Sequence, residues 1–249
     1  MNIGIYQSAS ALSALERWQE SVAQNITSSQ TSGFRKRTIN FSTQSTGELR
    51  PDMKSRIGRD PSMAMSFPKV NYGINFTTGE TQPTRRELDV AIQGDGFFEV
   101  QRNDGSKVYT RSGEFRMRAD RVLVTTDGHQ VMSDGGAPLT LTADGGPVTI
   151  NRDGSISQGQ TAVGRIAVKR FENNAALTPL AGGFFVPAPG VEGQRVDGPD
   201  LLQGYVEGSN VSALREMVDL VLIARAYEAN DKMIRTVDEQ MGKTLEALG

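Results

Sequence analysis

One histidine, His129, and no cysteine occur in the 249-residue chain. Thiol catalysis, cysteine–metal sites, disulfides and a multi-histidine metal centre are therefore excluded, and a Ser-His-Asp triad would have to use His129 alone. No Gly-x-Ser-x-Gly nucleophile pattern accompanies it. His129 follows Asp127-Gly128, which predicts an exposed turn residue. Gly94-Asp95-Gly96 could suggest a phosphate loop, but such loops need further glycines or Gly-Lys-Ser/Thr before a helix. Here Phe97-Phe98-Glu99-Val100 follows, a strand-like run, so a tight turn is predicted. The pairs Asp104-Gly105, Asp127-Gly128, Asp134-Gly135, Asp144-Gly145 and Asp153-Gly154 lack the alternating ligands and closing Glu of a calcium loop and read as hairpin turns. Asn25-Ile26-Thr27, Asn40-Phe41-Ser42, Asn75-Phe76-Thr77 and Asn210-Val211-Ser212 match the glycosylation pattern. Two of them fall in predicted helices or caps, so no sugar is assigned. Arg35-Lys36-Arg37 reads as a solvated or subunit-facing arm rather than a nucleic-acid patch. The residue inventory thus predicts no catalytic residues, no metal site, no cofactor and no small-molecule substrate.

The elements that must carry any other function follow from periodicity. Basic and acidic residues number 27 and 29, a balance that speaks against a general nucleic-acid binder. The longest apolar run, Leu220 to Ala224, is too short to span a bilayer, and Met1 to Ala14 alternates apolar with polar residues unlike a secretory signal. Ile5, Ala9, Leu12, Leu15, Gln19, Val22 and Ile26 recur at spacings of three and four and predict an N-terminal helix, with Gly33 as a plausible stop. Ala213, Met217, Leu220, Ile223, Tyr227, Asn230, Ile234, Val237, Met241, Leu245 and Leu248 predict a C-terminal helix about 55 Å long. Between them the period changes to two. Runs around 88–92, 97–100, 107–110, 114–118, 122–125, 139–141, 148–150 and 165–171, separated by the Asp-Gly turns, predict an antiparallel β domain. Residues 33–60 carry seven basic groups against three acidic ones, and prolines stand at 51, 61 and 68, so residues 34–75 read as an extended basic linker or arm.

The predicted fold class is therefore α+β. Long N- and C-terminal helices pack as a coiled-coil-like stalk on a central antiparallel β domain, with segments 1–33, 34–75, 76–205 and 206–249. Each helix stripe lies near the 3.5-residue period, and two helices alone leave much apolar surface uncovered. Ile5, Leu12, Leu15, Val22, Ile26, Met217, Leu220, Tyr227, Ile234, Val237, Met241 and Leu245 are thus the residues expected to pack between subunits.

Three stretches together resemble the bacterial flagellar rod and hook family. Val22-Ala23-Gln24-Asn25-Ile26 and Thr31-Ser32-Gly33-Phe34-Arg35 are similar to that family's helix end and Thr-x-Gly-Phe-Lys signature, departing at Thr27-Ser28-Ser29-Gln30. Leu88 to Phe98, Tyr109 to Phe115 and Leu123 to Gly128 resemble its β-domain entry. Glu207-Gly208-Ser209-Asn210-Val211, Glu216-Met217-Val218, Arg225 to Asn230 and Ile234-x-Thr236-x-Asp238 resemble its terminal helix. Within the family the ending from Lys232 to Glu239 resembles the proximal rod member most, with the distal rod member close. The resemblance implies a non-enzymatic subunit that is exported by the flagellar type III apparatus without signal cleavage. It further implies helical assembly with copies of itself and with other rod and hook proteins in a basal-body rod spanning the periplasm, without insertion in the membrane. The alternative function is a carbohydrate-binding or adhesive β module on an oligomerising stalk. It would need a ligand face rich in Trp and Tyr, and the chain has one Trp and five Tyr.

Overall fold

The computed structural model describes residues 3–48, 64–142 and 145–248. The chain divides into two compact units, one comprising Thr27–Lys36 and Ile74–Ser212, the other Met1–Ile26, Arg37–Gly73 and Ala213–Gly249. In the second of these lie helix α1 (Ile3–Thr27), strands β1 (Arg37–Glu48) and β2 (Ala64–Ile74), and helix α2 (Ala213–Leu248). The first is nearly all β. Its strands are β3 (Thr81–Pro83), β4 (Val90–Gln93), β5 (Phe97–Gln101), β6 (Lys107–Thr110), β7 (Phe115–Met117), β8 (Leu123–Thr125), β9 (Gln130–Val131), β10 (Val148–Ile150), β11 (Ser155–Gln158) and β12 (Thr161–Arg165). They continue with β13 (Val168–Arg170), β14 (Leu177–Pro179), β15 (Phe184–Pro187), β16 (Gln194–Arg195), β17 (Asp200–Gln203) and β18 (Tyr205–Glu207).

In the β unit, β5 is the centre of an antiparallel nine-stranded sheet with the path β14-β15-β6-β5-β9-β8-β7, and β13 joins β5 to β16. Val100 faces Val108 of β6 and Val131 of β9, while Phe98 faces Val168 of β13. Successive side chains of a strand point to opposite faces, so Phe98 and Val100 enter one buried cluster with Leu123, Ile156, Ile166 and Leu201, all at most 2% exposed. Phe97 enters a second cluster with Tyr109, Phe171, Leu177 and Phe185. Its rings meet edge-on or tilted at 4.9–6.1 Å between centroids, the geometry aromatic quadrupoles favour. Each fully buried apolar side chain contributes about 1.5–3 kcal/mol, so this unit holds the larger part of the chain's core.

The Asp-Gly turns work as local devices. The Asp104 and Asp153 side chains accept from the backbone N–H of Ser106 and Ser155 at 2.9 and 3.1 Å, while Gly105 and Gly154 take φ near +82° and +84°. The same serines hold both carboxyls below the usual carboxylate range. At Asp134-Gly135 the left-handed residue is Gly136 instead, and Asp144 lies outside the described residues. His129 is half-buried rather than exposed, its ring edge-on to Phe184 at 4.9 Å.

In the helical unit, β1 and β2 pair as a two-stranded sheet, and Asn71 Nδ2 donates to Ser42 Oγ across it at 2.9 Å. These strands fall within the segment read as an extended linker; residues 49–63 of that segment lie outside the described residues. On α1 the buried face is Ser8, Ala14, Ser21, Val22 and Asn25, with Leu12, Leu15, Trp18 and Ile26 half-buried. Trp18 stacks edge-on against Phe41 of β1 at 5.7 Å.

The expected coiled-coil-like stalk is corrected by this structure. The chain is α+β, with a single helix at each end and a predominantly β centre. A coiled coil buries its stripe, yet Met217, Leu220, Tyr227 and Met241 of α2 are 52, 37, 41 and 39% exposed. What α2 buries is Glu216 and Ile223, with Asp219, Ala226, Asn230, Ile234 and Val237 half-buried. That face carries polar groups, so it cannot be a continuous apolar seam. Among the described residues no helix is long and apolar enough to cross a membrane.

Candidate assembly site

The inward face of α1 ends in a polar residue that organises its unit. Asn25 is 1% exposed. Its Nδ2 donates to the Arg37 carbonyl and its Oδ1 accepts from the Arg37 N–H, each at 2.9 Å. The second Nδ2 hydrogen reaches Glu216 Oε2 at 2.8 Å. An asparagine side chain offers two donors and a carbonyl; here they tie α1 to the start of β1 and to the first turn of α2. The carboxylate of Glu216 is well placed there, because a helix N-terminus carries partial positive charge. Further along, Ser8 Oγ lies 3.8 Å from Met233 Sδ, a second contact between α1 and α2.

The β unit has its own buried polar centre at the end of β18. Glu207, Arg35 and Arg111 are all within 3% of fully buried. Arg35 Nη1 lies 2.5 Å from Glu207 Oε1 and Arg111 Nε 2.8 Å from Oε2. The Gly79 N–H also donates to Oε1, at 2.8 Å. Arg111 reaches on to the carbonyls of Gly96 and Gly94, each at 2.7 Å, and its guanidinium carbon stands 6.0 Å from the Phe97 ring centre. Burial lowers the Arg111 pKa, and Glu207 works against that shift. The Gly94-Asp95-Gly96 turn is thus a set of carbonyls wrapped on a cation, opposite in sign to a phosphate cradle. Arg35, expected on a solvated or subunit-facing arm, is instead sealed inside this unit.

Gly33 shows why the segment before Arg35 needs glycine. Its φ is +70°, and a Cβ there would stand 2.3 Å from Ser112 N and 2.4 Å from the Arg111 carbonyl carbon. Its N–H donates to the Glu207 carbonyl at 2.7 Å. Close backbone approach and a left-handed conformation both demand the missing side chain.

The residues expected to pack between subunits divide three ways. Val22 is buried; Leu12, Leu15, Ile26, Ile234 and Val237 are half-buried; Met217, Leu220, Tyr227 and Met241 are exposed. Ile5 and Leu245 lie in helices, but their side chains are outside the described residues. Periodicity alone missed a second apolar strip. Leu214, Met217, Val218 and Val221 recur at spacings of three, one and three on the side of α2 away from Ile223, and they are 76, 52, 55 and 53% exposed. The signal was the apolar run from Met217 to Ala224, interrupted only by Asp219, which is apolar around most of the helix rather than along one stripe. Asn25, Glu207 and Glu216 were missed as well, since a buried polar residue leaves no periodic mark. Among the described residues, no group of three or more His, Asp or Glu side chains could hold a metal ion.

Comparison with known proteins gives these features a context. Residues 91–158 match the family described as flagellar hook protein FlgE/F/G D1 domain, and residues 202–247 match flagellar basal body rod FlgEFG protein C-terminal. The flagellar basal-body rod protein FlgF of Caulobacter vibrioides is 33% identical over 100% of this chain and 99% of its own length. The rod protein FlgG of Agrobacterium fabrum is 31% identical over 93% of this chain and 94% of its own length. The FlgF of Mesorhizobium japonicum is 31% identical over 100% and 99%. Relatives bearing both names align over most of their length at near-equal identity. The C-terminal match begins in β17 and takes in the Glu207 carboxylate, Glu216 and nearly all of α2, so the chain belongs to the flagellar basal-body rod protein family and is a structural subunit of the rod.

Proposed function

We propose that this subunit builds the rod by laying the outer apolar strip of α2 against neighbouring axial subunits. The observation that carries this is the exposure of Leu214, Met217, Val218 and Val221 on one helix side. Four large apolar side chains in a row are costly to leave in water, at roughly 25 cal/mol per Å². An open, head-to-tail contact repeated by every copy gives a helical array rather than a closed ring. The residues expected from the sequence, Ile5, Leu12, Leu15, Val22, Ile26, Met217, Leu220, Tyr227, Ile234, Val237, Met241 and Leu245, are further subunit-packing positions in this reading; Met217 lies on the strip itself, whereas Ile234 and Val237 lie on the Ile223 side of α2. Segments 1–33 and 206–249 are then the assembly ends, 34–75 an arm and 76–205 the body. The partners are further copies of the chain and other rod and hook proteins, and the role is mechanical, not enzymatic. Passage through the flagellar export apparatus to the periplasm suits helices that gain most of their stability only on packing.

Replacing Val218 with Asp tests the surface. The isolated variant is expected to unfold within about 0.5 kcal/mol of the parent, because the site is exposed. In cells, basal bodies are expected to lack complete rods although the variant is secreted. Rods of normal length and yield from Val218→Asp cells would overturn the proposal.

A further inference from the structure

We infer that Asn210 is a positioning residue for torque: it ties together three of the places where the chain enters or leaves the β unit. The unit's segments end at Lys36, begin again at Ile74 and end at Ser212. Within two residues of each stands a partner in one hydrogen-bonded knot. The Lys36 N–H donates to Asn210 Oδ1 at 2.7 Å. Asn210 Nδ2 donates to the carbonyls of Asn75 and Thr77 at 2.9 and 2.8 Å. The Asn75 N–H closes the ring by donating to the Lys36 carbonyl at 2.9 Å, and the Asn210 N–H donates to the Phe34 carbonyl at 3.3 Å. Both donors and the carbonyl of one side chain are thereby used on two other stretches of backbone, at Lys36 and at Asn75–Thr77, a task for which asparagine has the right inventory and aspartate lacks the donors. A single covalent connection swivels freely about its φ and ψ, whereas three connections bound to one another must turn together. The reading rests on the role of the chain as a rod subunit, since only a part that carries torque needs its connections locked.

The test uses the full-length protein and three variants. Asn210→Ala removes the side-chain bonds that brace the two backbone bonds of the knot, Asn210→Asp keeps only the acceptor for Lys36, and Asn151→Ala removes a side-chain bond in the β10–β11 turn of the same unit. Amide hydrogen exchange on the purified proteins reads the knot alone. In Asn210→Ala, exchange at Lys36 and Asn75 is expected to rise at least tenfold, with Val100 and Val108 within twofold of the parent. In Asn210→Asp, Asn75 is expected to loosen while Lys36 stays protected. Unchanged exchange at Lys36 and Asn75 in Asn210→Ala would overturn the inference. Swimming speed is then compared in dilute and in viscous medium. Both Asn210 variants are expected to lose at least twofold more speed than the parent under viscous load, and Asn151→Ala none. Loosened exchange with normal swimming under load would overturn the torque role. So would rods that fail to form in dilute medium with both Asn210 variants, which assigns the residue to assembly. Normal flagellar rotation in cells lacking the chain would refute the rod reading itself, and the exchange result would stand apart from it.

Discussion

The β unit and the helical unit spend their apolar residues differently. In the β unit both faces of β5 are covered, by Phe98 and Val100 on one side and Phe97 on the other, and its buried Glu207 has each carboxylate oxygen engaged. In the helical unit α2 exposes Leu214, Met217, Val218, Val221 and Leu222, each at least 50% accessible, and among its described residues buries only Glu216 and Ile223 deeply. The first unit is stable by what lies inside it. In the proposed reading the second reserves stabilisation for its packing against neighbours in the rod. Substitutions should therefore sort by unit: those in the β unit should change the unfolding of the isolated chain, and those on α2 should change the yield of rods.

The largest expected effect is at Glu207. Replacing it with Ala leaves two buried guanidiniums without their counter-charge and the Gly79 N–H without its acceptor. Breaking a buried pair from one side costs about 3–5 kcal/mol. Thermal or urea unfolding of the purified chain should show that loss in the β transition. A loss under 1 kcal/mol would mean the cluster is not what holds residues 31–36 in place.

Next comes Ile234→Asp on the helical side. Ile234 is half-buried in the single chain, on the same side of α2 as Ile223. A carboxylate sealed there by neighbouring subunits would cost several kcal/mol per copy. Soft-agar swimming should be abolished while the β transition stays in place, and Lys232→Asp, at an exposed neighbour, should swim nearly normally. Equal behaviour of the two variants would mean that the Ile234 side of α2 is not a packing surface in the rod.

A smaller effect is expected from alkaline pH. Burial, together with the charges of Glu99 and Glu192, pushes the Tyr109 hydroxyl up to about 12. An unfolded tyrosine ionises near 10. Between these values the native state holds a proton that the unfolded state has lost, so stability is full below pH 10 and falls as pH rises to 12. The fall attributable to Tyr109 is about 2 kcal/mol, absent in Tyr109→Phe. Urea unfolding at pH 9 and pH 11.5 on both proteins measures it. An equal fall in both would place the alkaline sensitivity elsewhere.

These contrasts also explain what could be read from the residues alone. Both helices were legible because apolar spacing is local, and so were the strands that contain Phe97–Phe98, Val108 and Leu123, because alternation and Asp-Gly turns are local too. Strands β14 to β18 were not, since Gln194–Arg195 and Asp200–Gln203 have no periodic signature and exist through pairing with distant partners. The coiled-coil-like stalk failed for a related reason. A stripe centred on Ile223 and Ile234 is visible in one dimension, but the face that a helix buries depends on what it meets. Here that partner set includes Asn25, which selects Glu216. Arg35 was misread because a basic triplet looks solvated until the carboxylate 172 positions later is brought to it. His129 was misplaced by its turn, which does not reveal that Phe184 lies beneath the ring.

The smallest effect sharpens the comparison most cleanly, because it touches no contact at all. Gly242 lies in the last turns of α2, exposed, and a Cβ built there meets nothing within 4 Å. Its φ is not in the left-handed range, so alanine fits without strain. Alanine in a helix interior is favoured over glycine by about 1 kcal/mol, largely because the unfolded chain has less freedom to lose. Gly242→Ala should therefore raise the helicity of the isolated chain measured by circular dichroism and slow amide exchange from about residue 238 onward, while leaving the β transition unmoved. Its effect on swimming separates two uses of that glycine. If the C-terminal turns simply need to be helical in the rod, the variant should assemble as well as the parent. If export or packing needs the helix to loosen there, swimming should fall although the helix itself is more stable. A shift of the β transition in Gly242→Ala would count against sorting substitutions by unit.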